Sequence, residues 1–185
     1  EIELVKSTPS GSFSKDALPE ILSYSEWADA ILFAGDLSHN SETAILLEQI
    51  LNKTTKKLVL TKDAADYFVN NPSSLLNRDD TSLVISFAQL QKILIAAKYK
   101  TALTFDMQHN NLSEVLVDIS KVYKCIFVTQ RNKNIYCSVA GKLSITELDN
   151  PPGSWRIENA TNIAVWWMQN TNKPFEAITN ALSVK

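Results

Sequence analysis

The sequence predicts an α/β three-layer sandwich: a mostly parallel sheet with an antiparallel hairpin at one edge and helices on both faces. Three observations lead there. Short, largely apolar runs such as "AILFA", "KLVLT" and "CIFVTQ" alternate with amphipathic segments such as "ETAILLEQILN" and "FAQLQKILIAAK", the pattern of parallel strands joined by helical crossovers. The strand runs are not polar at every second residue, as suits strands covered on both faces. Late in the chain, "NIYCSVAGKLSITEL" leaves no room for a helix between its two apolar stretches, so it must close as a hairpin around Ala140-Gly141-Lys142. A length of 185 residues with 45% hydrophobic content suits one domain whose core needs no disulfide or metal.

Taken in order, residues 2–5 ("IELV") read as a strand and "TPSGS" as a turn. Ser14 can cap a helix over residues 15–28, broken near Pro19, whose ring cannot sit in a helix interior. "AILFA" is a strand. Asn40 or Ser41 then caps "ETAILLEQILN", with Ile45, Leu46, Gln49 and Ile50 at helical spacing and Glu42 at the favourable end of the helix dipole. "KLVLT" is a strand, "KDAADYFV" a short helix and "NNPSSLLNRDD" a loop rich in breakers. "TSLVIS" is a strand and "FAQLQKILIAAK" a helix. "NLSEVLVDISKVY" follows as a helix, with Leu112, Val115, Leu116 and Ile119 on one stripe, and "CIFVTQ" as a strand. After the hairpin and the loop "DNPPGS", "ENATNIAVWWMQN" reads as a helix capped near Glu158 or Asn159. "KPFEAITNAL" is a last helix with Pro174 in its first turn.

Composition narrows the partners. A net charge of −2 offers no basic footprint for nucleic acid. No apolar run reaches the ~18 residues of a membrane span. With no signal peptide in view, a cytoplasmic protein is the expectation; the first residue is Glu1 rather than Met, so an N-terminal piece is expected upstream. Cys125 and Cys137 lie in strand segments without CxxC spacing and read as buried free thiols. Asn52, Asn111 and Asn159 match the glycosylation sequon by chance in an Asn-rich chain. Glycine occurs only 4 times, at Gly11, Gly35, Gly141 and Gly153. Bare main chain that could approach a phosphate is therefore scarce.

In open parallel sheets the ligand crevice lies at the carboxyl ends of the strands. That rule groups residues 35–39, 61–63, 86–88 and 129–132 on one rim. The segments "DAILFAGDLSHNSETAILLEQIL" and "KKLVLTKDAADYF", with "CIFVTQRNKNIYCSVAGK" and "PFEAITNAL" further on, resemble the ribokinase-like fold, and within it the ADP/ATP-dependent NAD(P)H-hydrate dehydratases. The resemblance covers nearly the whole chain, lacks the family's first βα units, and places "LPEI" at the family's Leu-Pro-Glu.

The resemblance implies a lyase that uses ATP or ADP with Mg²⁺, and it implies site residues. The family's Gly-Pro-Gly-Leu-Gly turn falls on Ala34-Gly35-Asp36-Leu37-Ser38 and shares only Leu37 with it. Gly35, Asp36 and Asp63 would face the substrate, Asp63 being what remains of Asp-Ala-Asp at Thr61-Lys62-Asp63. Thr-Pro-His-Pro-Gly-Glu falls on "VISFAQ", residues 84–89. Leu-Lys-Gly falls on Val128-Thr129-Gln130, so that Gln130, Arg131 and Asn132 would approach the nucleotide together with Asn159. The catalytic aspartate of Gly-Ser-Gly-Asp falls on Glu158, or on Asn162, within "WRIENATN" and without its glycines. A glutamate there could act as a base, but phosphate would be held much less well.

The remaining polar and aromatic residues need no special chemistry. Asp36 and Asp63 offer too few oxygens for a hard cation by themselves, and no metal site is expected. His39 sits in the first rim loop and His109 three residues after Asp106; neither spacing is specific. Arg131 and Lys133, with Arg156 nearby, would make either a small anion-binding rim or a solvated surface. Trp166 and Trp167 point about 100° apart on one helix, so one packs and the other is free for a partner, which leaves a homo-oligomer open. Three readings follow: a degenerate family member kept as a binding or interaction module, an active nucleotide-dependent enzyme, and a structural subunit.

Overall fold

The computed structural model describes residues 4–35, 37–148 and 153–183. Its centre is a six-stranded sheet in the order β1-β2-β3-β4-β5-β6. β1 (Ala30–Phe33), β2 (Lys57–Thr61), β3 (Thr81–Ser86) and β4 (Ile126–Arg131) run parallel. β5 (Asn134–Val139) and β6 (Lys142–Glu147) return antiparallel at one edge, as expected.

That strand order dictates the layers. Parallel crossovers are right-handed, and strands that advance without reversing put every crossover helix on the same face. Here these are α2 (Ser41–Lys53), α5 (Phe87–Ala96) and α6 (His109–Val122). Leu47, Leu90, Ile93, Leu112 and Leu116 from them cover Leu58, Leu60, Leu83, Ile85, Phe127 and Tyr136 of the sheet. The opposite face carries Val59, Val84, Ile126, Val128, Ile135 and Cys137, the alternate residues of the same strands. It is covered by the helices that follow the hairpin, α7 (Trp155–Gln169) and α8 (Pro174–Ser183), through Ile163, Trp167, Ile178 and Leu182. At the amino ends of the strands, the Arg78 guanidinium donates to the carbonyls of Leu51, Thr54 (3.0 Å) and Lys56 (3.3 Å) and pairs with Asp80 at 2.8 Å. It thereby ties the end of α2 to the starts of β2 and β3.

The structure departs from the sequence reading in several places. The strand expected over residues 2–5 is absent at Leu4 and Val5, and residues 1–3 lie outside the described residues. Instead Ser7 and Phe13 form one antiparallel bridge around a turn that needs Gly11 at φ 82°. The helix after Ser14 does change near Pro19: a 3-10 turn, Lys15–Ala17, gives way to α1 (Leu18–Glu26) with the proline in its first turn. Asn40, not Ser41, caps α2, accepting from the Glu42 amide at 2.8 Å. The short helix after β2 shrinks to α3 (Asp63–Asp66), and the expected loop at "NNPSSLLNRDD" contains α4 (Ser73–Leu76), wound because Leu75 and Leu76 are both buried. The hairpin turn is Ala140-Gly141 alone, at φ 48° and 81°; Lys142 already pairs with Val139. Helix α7 begins three residues before Glu158, after Ser154, because Trp155 packs on the second core.

Candidate functional site

The carboxyl ends of β1 to β4 and the first turn of α7 form one rim, and each loop on it is held by side chains. After β1, the Leu37 amide donates to the Asp63 carboxylate at 3.1 Å. The Tyr67 hydroxyl donates to the Ser38 carbonyl and accepts from the Asn40 amide at 3.1 Å, while the hydroxyls of Ser12 and Ser38 bond each other. After β3, Ser86 and Gln89 form a capping box at the start of α5. Gln89 does more than cap. Its Nε2 donates to the Lys62 carbonyl at 3.0 Å and to the Asp66 carboxylate at 2.9 Å, and its Oε1 accepts from the Arg156 guanidinium at 3.1 Å. One amide, 6% exposed, thus joins the loops after β2 and β3 to α7 across the end of the sheet.

Three of these loops share an unusual backbone. Ser38 (φ 52°), Lys62 (φ 49°) and Asn132 (φ 55°) take the left-handed region without being glycine. Lys62, with ψ −130°, has the shape of the first central residue of a type II′ turn, which glycine dominates. Each is pinned by a bond to its own carbonyl: Tyr67 to Ser38, Gln89 to Lys62, and Gln130 Nε2 to Asn132 at 2.8 Å. Strained positions of this kind persist where the surroundings over-determine them.

Of the residues singled out from the sequence, Asp63, Arg131, Glu158 and Asn159 come to this rim with polar groups already engaged. Gly35 takes φ 133°, and a Cβ there would meet nothing within 4 Å. Asp36 lies outside the described residues. Asp63 holds the Leu37 amide. The Gln130 Oε1 atom is buried without a hydrogen-bond partner among the described residues. Arg131 donates to the Phe105 carbonyl at 2.6 Å and lies over the Phe87 ring at 5.7 Å. Its charge also helps, after a hydrogen bond from Thr104 and one from the backbone, to hold the exposed Asp106 carboxyl below its ordinary value. In the first turn of α7, exposed Glu158 accepts from the Ser154 hydroxyl, and Asn159 donates to the Trp155 carbonyl at 2.7 Å. His39 is exposed in its loop; His109 starts α6 and its Nδ1 lies 3.0 Å from the Tyr136 hydroxyl. Arg131 and Arg156 both reach the first turn of α5, at Phe87 and Gln89, whereas Lys133 stays exposed in the hairpin.

Two features escaped the sequence. Gln89 was legible only as a capping-box partner from the Ser86-x-x-Gln89 spacing; nothing local announces its reach to Lys62 and Arg156. The other is a cleft of about 540 Å³ at the end of β1, lined by Leu4, Val5, Phe13, Leu37, Ser10 and Ser38 among others. Among the described residues no three His, Cys, Asp or Glu side chains cluster where they could share a metal ion, and no helix is long and apolar enough to cross a membrane.

Comparison with solved structures decides the fold. The chain superposes over 92% of its length on the crystal structure of a ribokinase-like superfamily protein from Enterococcus faecalis V583, with a TM-score of 0.66 and 14% identity. The fold is ribokinase-like. The match covers 57% of the Enterococcus chain, so this chain spans little more than half of that ribokinase-like neighbour. No family model matches the sequence, and no curated protein does.

Proposed function

We propose that this chain is a degenerate ribokinase-like domain, related to the ADP/ATP-dependent NAD(P)H-hydrate dehydratases, that has given up nucleotide-dependent chemistry and serves as a binding or interaction module. The observation that carries this reading is Gln89. Where a phosphate would need bare amides and free donors, one buried side chain spans the loops after β2 and β3 and the start of α7. Glycine-like loop shapes at Ser38, Lys62 and Asn132 are retained with side chains attached, and a Cβ keeps a ligand away from the backbone that it would otherwise touch. The amides at the start of α7 have a dipole suited to anions, but Glu158 and its Ser154 partner sit on that turn. A carboxylate so placed competes with phosphate for the same field. ADP or ATP with Mg²⁺ therefore does not fit these residues, and no reaction step is assigned to them.

Thermal unfolding with ADP, ATP and NADH, each with and without Mg²⁺, tests this. A ligand at a hundredfold excess over Kd adds about 2.7 kcal/mol, which is about 5–11 °C in Tm for a domain of this size. The expected result is no shift at millimolar nucleotide. A rise of several degrees with ADP or ATP would overturn the reading and restore Glu158 as the candidate base.

A further inference from the structure

A net charge of −2 over the whole chain hides a local excess of positive charge. α5 begins where β3 ends, and α6 ends where β4 begins, so the two helices finish side by side at the amino ends of the strands. Tyr99, just after α5, and Tyr123, just after α6, hold their rings 6.1 Å apart there. Residues 92–100 and 117–124 carry five lysines, at Lys92, Lys98, Lys100, Lys121 and Lys124, against one carboxylate, Asp118. All five lysines are exposed. Asp118 pairs with Lys121 at 3.3 Å; the other four lysines meet no carboxylate among the described residues. This patch lies away from the chain's first residues: Val5 and Phe13 pack with Leu46 and Ile50 beside β1, whereas α5 and α6 join β3 to β4.

Apolar side chains stand among these charges. Ile95 is 70% exposed and Val122 60%, while Tyr99 and Tyr123 are partly buried against the core. The turn after α5 keeps a charge where backbone geometry favours none. The Lys98 amide donates to the Ile95 carbonyl at 3.0 Å and the Tyr99 amide to the Leu94 carbonyl at 2.9 Å, a helix stop whose left-handed residue is most often glycine. Here it is Lys98, at φ 54°. Lysines without arginine act as point charges rather than as bidentate forks, which suits a field of anionic headgroups better than the base edges of a duplex. Exposed aliphatic chains among lysines, with tyrosines beside them, have the composition of a surface that sits in a bilayer interface. The apolar groups enter, the amines stay at headgroup level and the phenols span the boundary.

We infer that the ends of α5 and α6 form a peripheral docking surface for an anionic membrane, with Ile95 and Val122 entering the interface and Lys92, Lys98, Lys100 and Lys124 against its headgroups. This names a partner for the interaction role proposed above, but its test reads lipid binding rather than nucleotide binding, so either reading can fail alone. The experiment is co-sedimentation of the full chain with vesicles of phosphatidylcholine alone and with about 30% phosphatidylserine added. The expected result is binding at least about tenfold tighter to the anionic vesicles. It should be lost between about 0.1 and 1 M salt, as the screening length contracts from about 10 to about 3 Å. Lys98→Gly should weaken binding about fivefold without lowering Tm, because glycine accepts φ 54° more readily than lysine does. Ile95→Ser, at an exposed position, should weaken it at least about fivefold and leave the circular dichroism spectrum unchanged. No preference for phosphatidylserine would overturn the inference. So would vesicle binding that neither substitution alters, since that binding uses another surface. Retention on polyglutamate beads with no binding to vesicles would also overturn it and assign the patch to an acidic protein.

Discussion

Replacing Gln89 with alanine tests whether one side chain holds the rim together. The substitution removes a bond to the Lys62 carbonyl, one to the Asp66 carboxylate, one from Arg156 and the reciprocal half of the capping box at Ser86. Neutral bonds contribute about 1 kcal/mol each and those to charged groups about 1.5–3. The gross loss is therefore about 5–8 kcal/mol. Arg156, Lys62 and Asp66 are only half-buried, so water can replace some of these partners, and a net loss of about 3 kcal/mol is expected. For a domain of this length that is about 6–12 °C in Tm. Urea unfolding of Gln89→Ala, Arg156→Ala and the double variant should give a coupling of about 1–2 kcal/mol between the two side chains. Gln89→Glu adds a test of sign. It keeps the acceptor for Ser86 and Arg156 but sets a second carboxylate against Asp66 and the Lys62 carbonyl. Its deficit at neutral pH should shrink in acid, as the carboxyl pair takes up a proton. A loss below about 1 kcal/mol for Gln89→Ala, or no coupling to Arg156, would refute the reasoning: the rim would then be held by something other than Gln89.

Further predictions concern strained turns and buried thiols. Lys62→Gly should stabilise the protein by about 1 kcal/mol, because glycine adopts φ 49°, ψ −130° without the Cβ clash; a loss on urea unfolding would mean that the lysine side chain does more than tolerate its backbone. In the hairpin, Ala140 and Gly141 both have positive φ, so Ala140→Asn should add about 0.5–1 kcal/mol and Gly141→Ala should remove about 1–2. The new Cβ of the latter would meet Lys121 Cγ at 3.0 Å, but that side chain can swing aside, and most of the loss is backbone strain. Burial raises the Cys125 thiol and pushes Cys137 up to about 12 from an ordinary 9.0. The folded state thus disfavours both thiolates. Their contribution is whole below pH 9 and is lost as pH rises towards the folded values. Stability against urea should fall above pH 9, and Cys137→Ala should flatten that fall.

The parts of the fold that were legible in the sequence are those set by burial. The strand segments at residues 57–61, 81–86 and 125–130 could be read because both faces of a central parallel strand are covered, and a short apolar run between breakers suits little else. The hairpin could be read because glycine marks its turn. Local cues failed where packing outweighed them. Asn70, Pro72, Asn77 and Asp79 announce a loop, yet burial of Leu75 and Leu76 winds one helical turn among them. Glu158 looks like the start of a helix, yet Trp155 and Ile157 extend α7 towards the rim. The tryptophan pair was half legible: Trp167 packs in the core at 2% exposure, as one of the two was expected to, but Trp166 is partly buried against the same core, and Trp27, placed in the first helix by the sequence reading, is the one in solvent.

The rim is where sequence reasoning reaches its end, and the cause is distance along the chain. Gln89 and Arg156 are 67 positions apart, and Gln89 and Lys62 are 27 apart; no periodicity relates them, and only the folded sheet brings them together. Scarcity of glycine could be counted from composition, but it did not say what shape the loops would take. Ser38, Lys62 and Asn132 hold left-handed conformations that cost about 1–3 kcal/mol each, and each is offset by a hydrogen bond to the strained residue's own carbonyl. Loop shape on this rim is imposed by where the strands end and the helices begin, so a side chain can replace glycine only if a neighbour restrains the strained peptide. Tyr67, Gln89 and Gln130 are those neighbours, and restraining the peptide engages their polar groups.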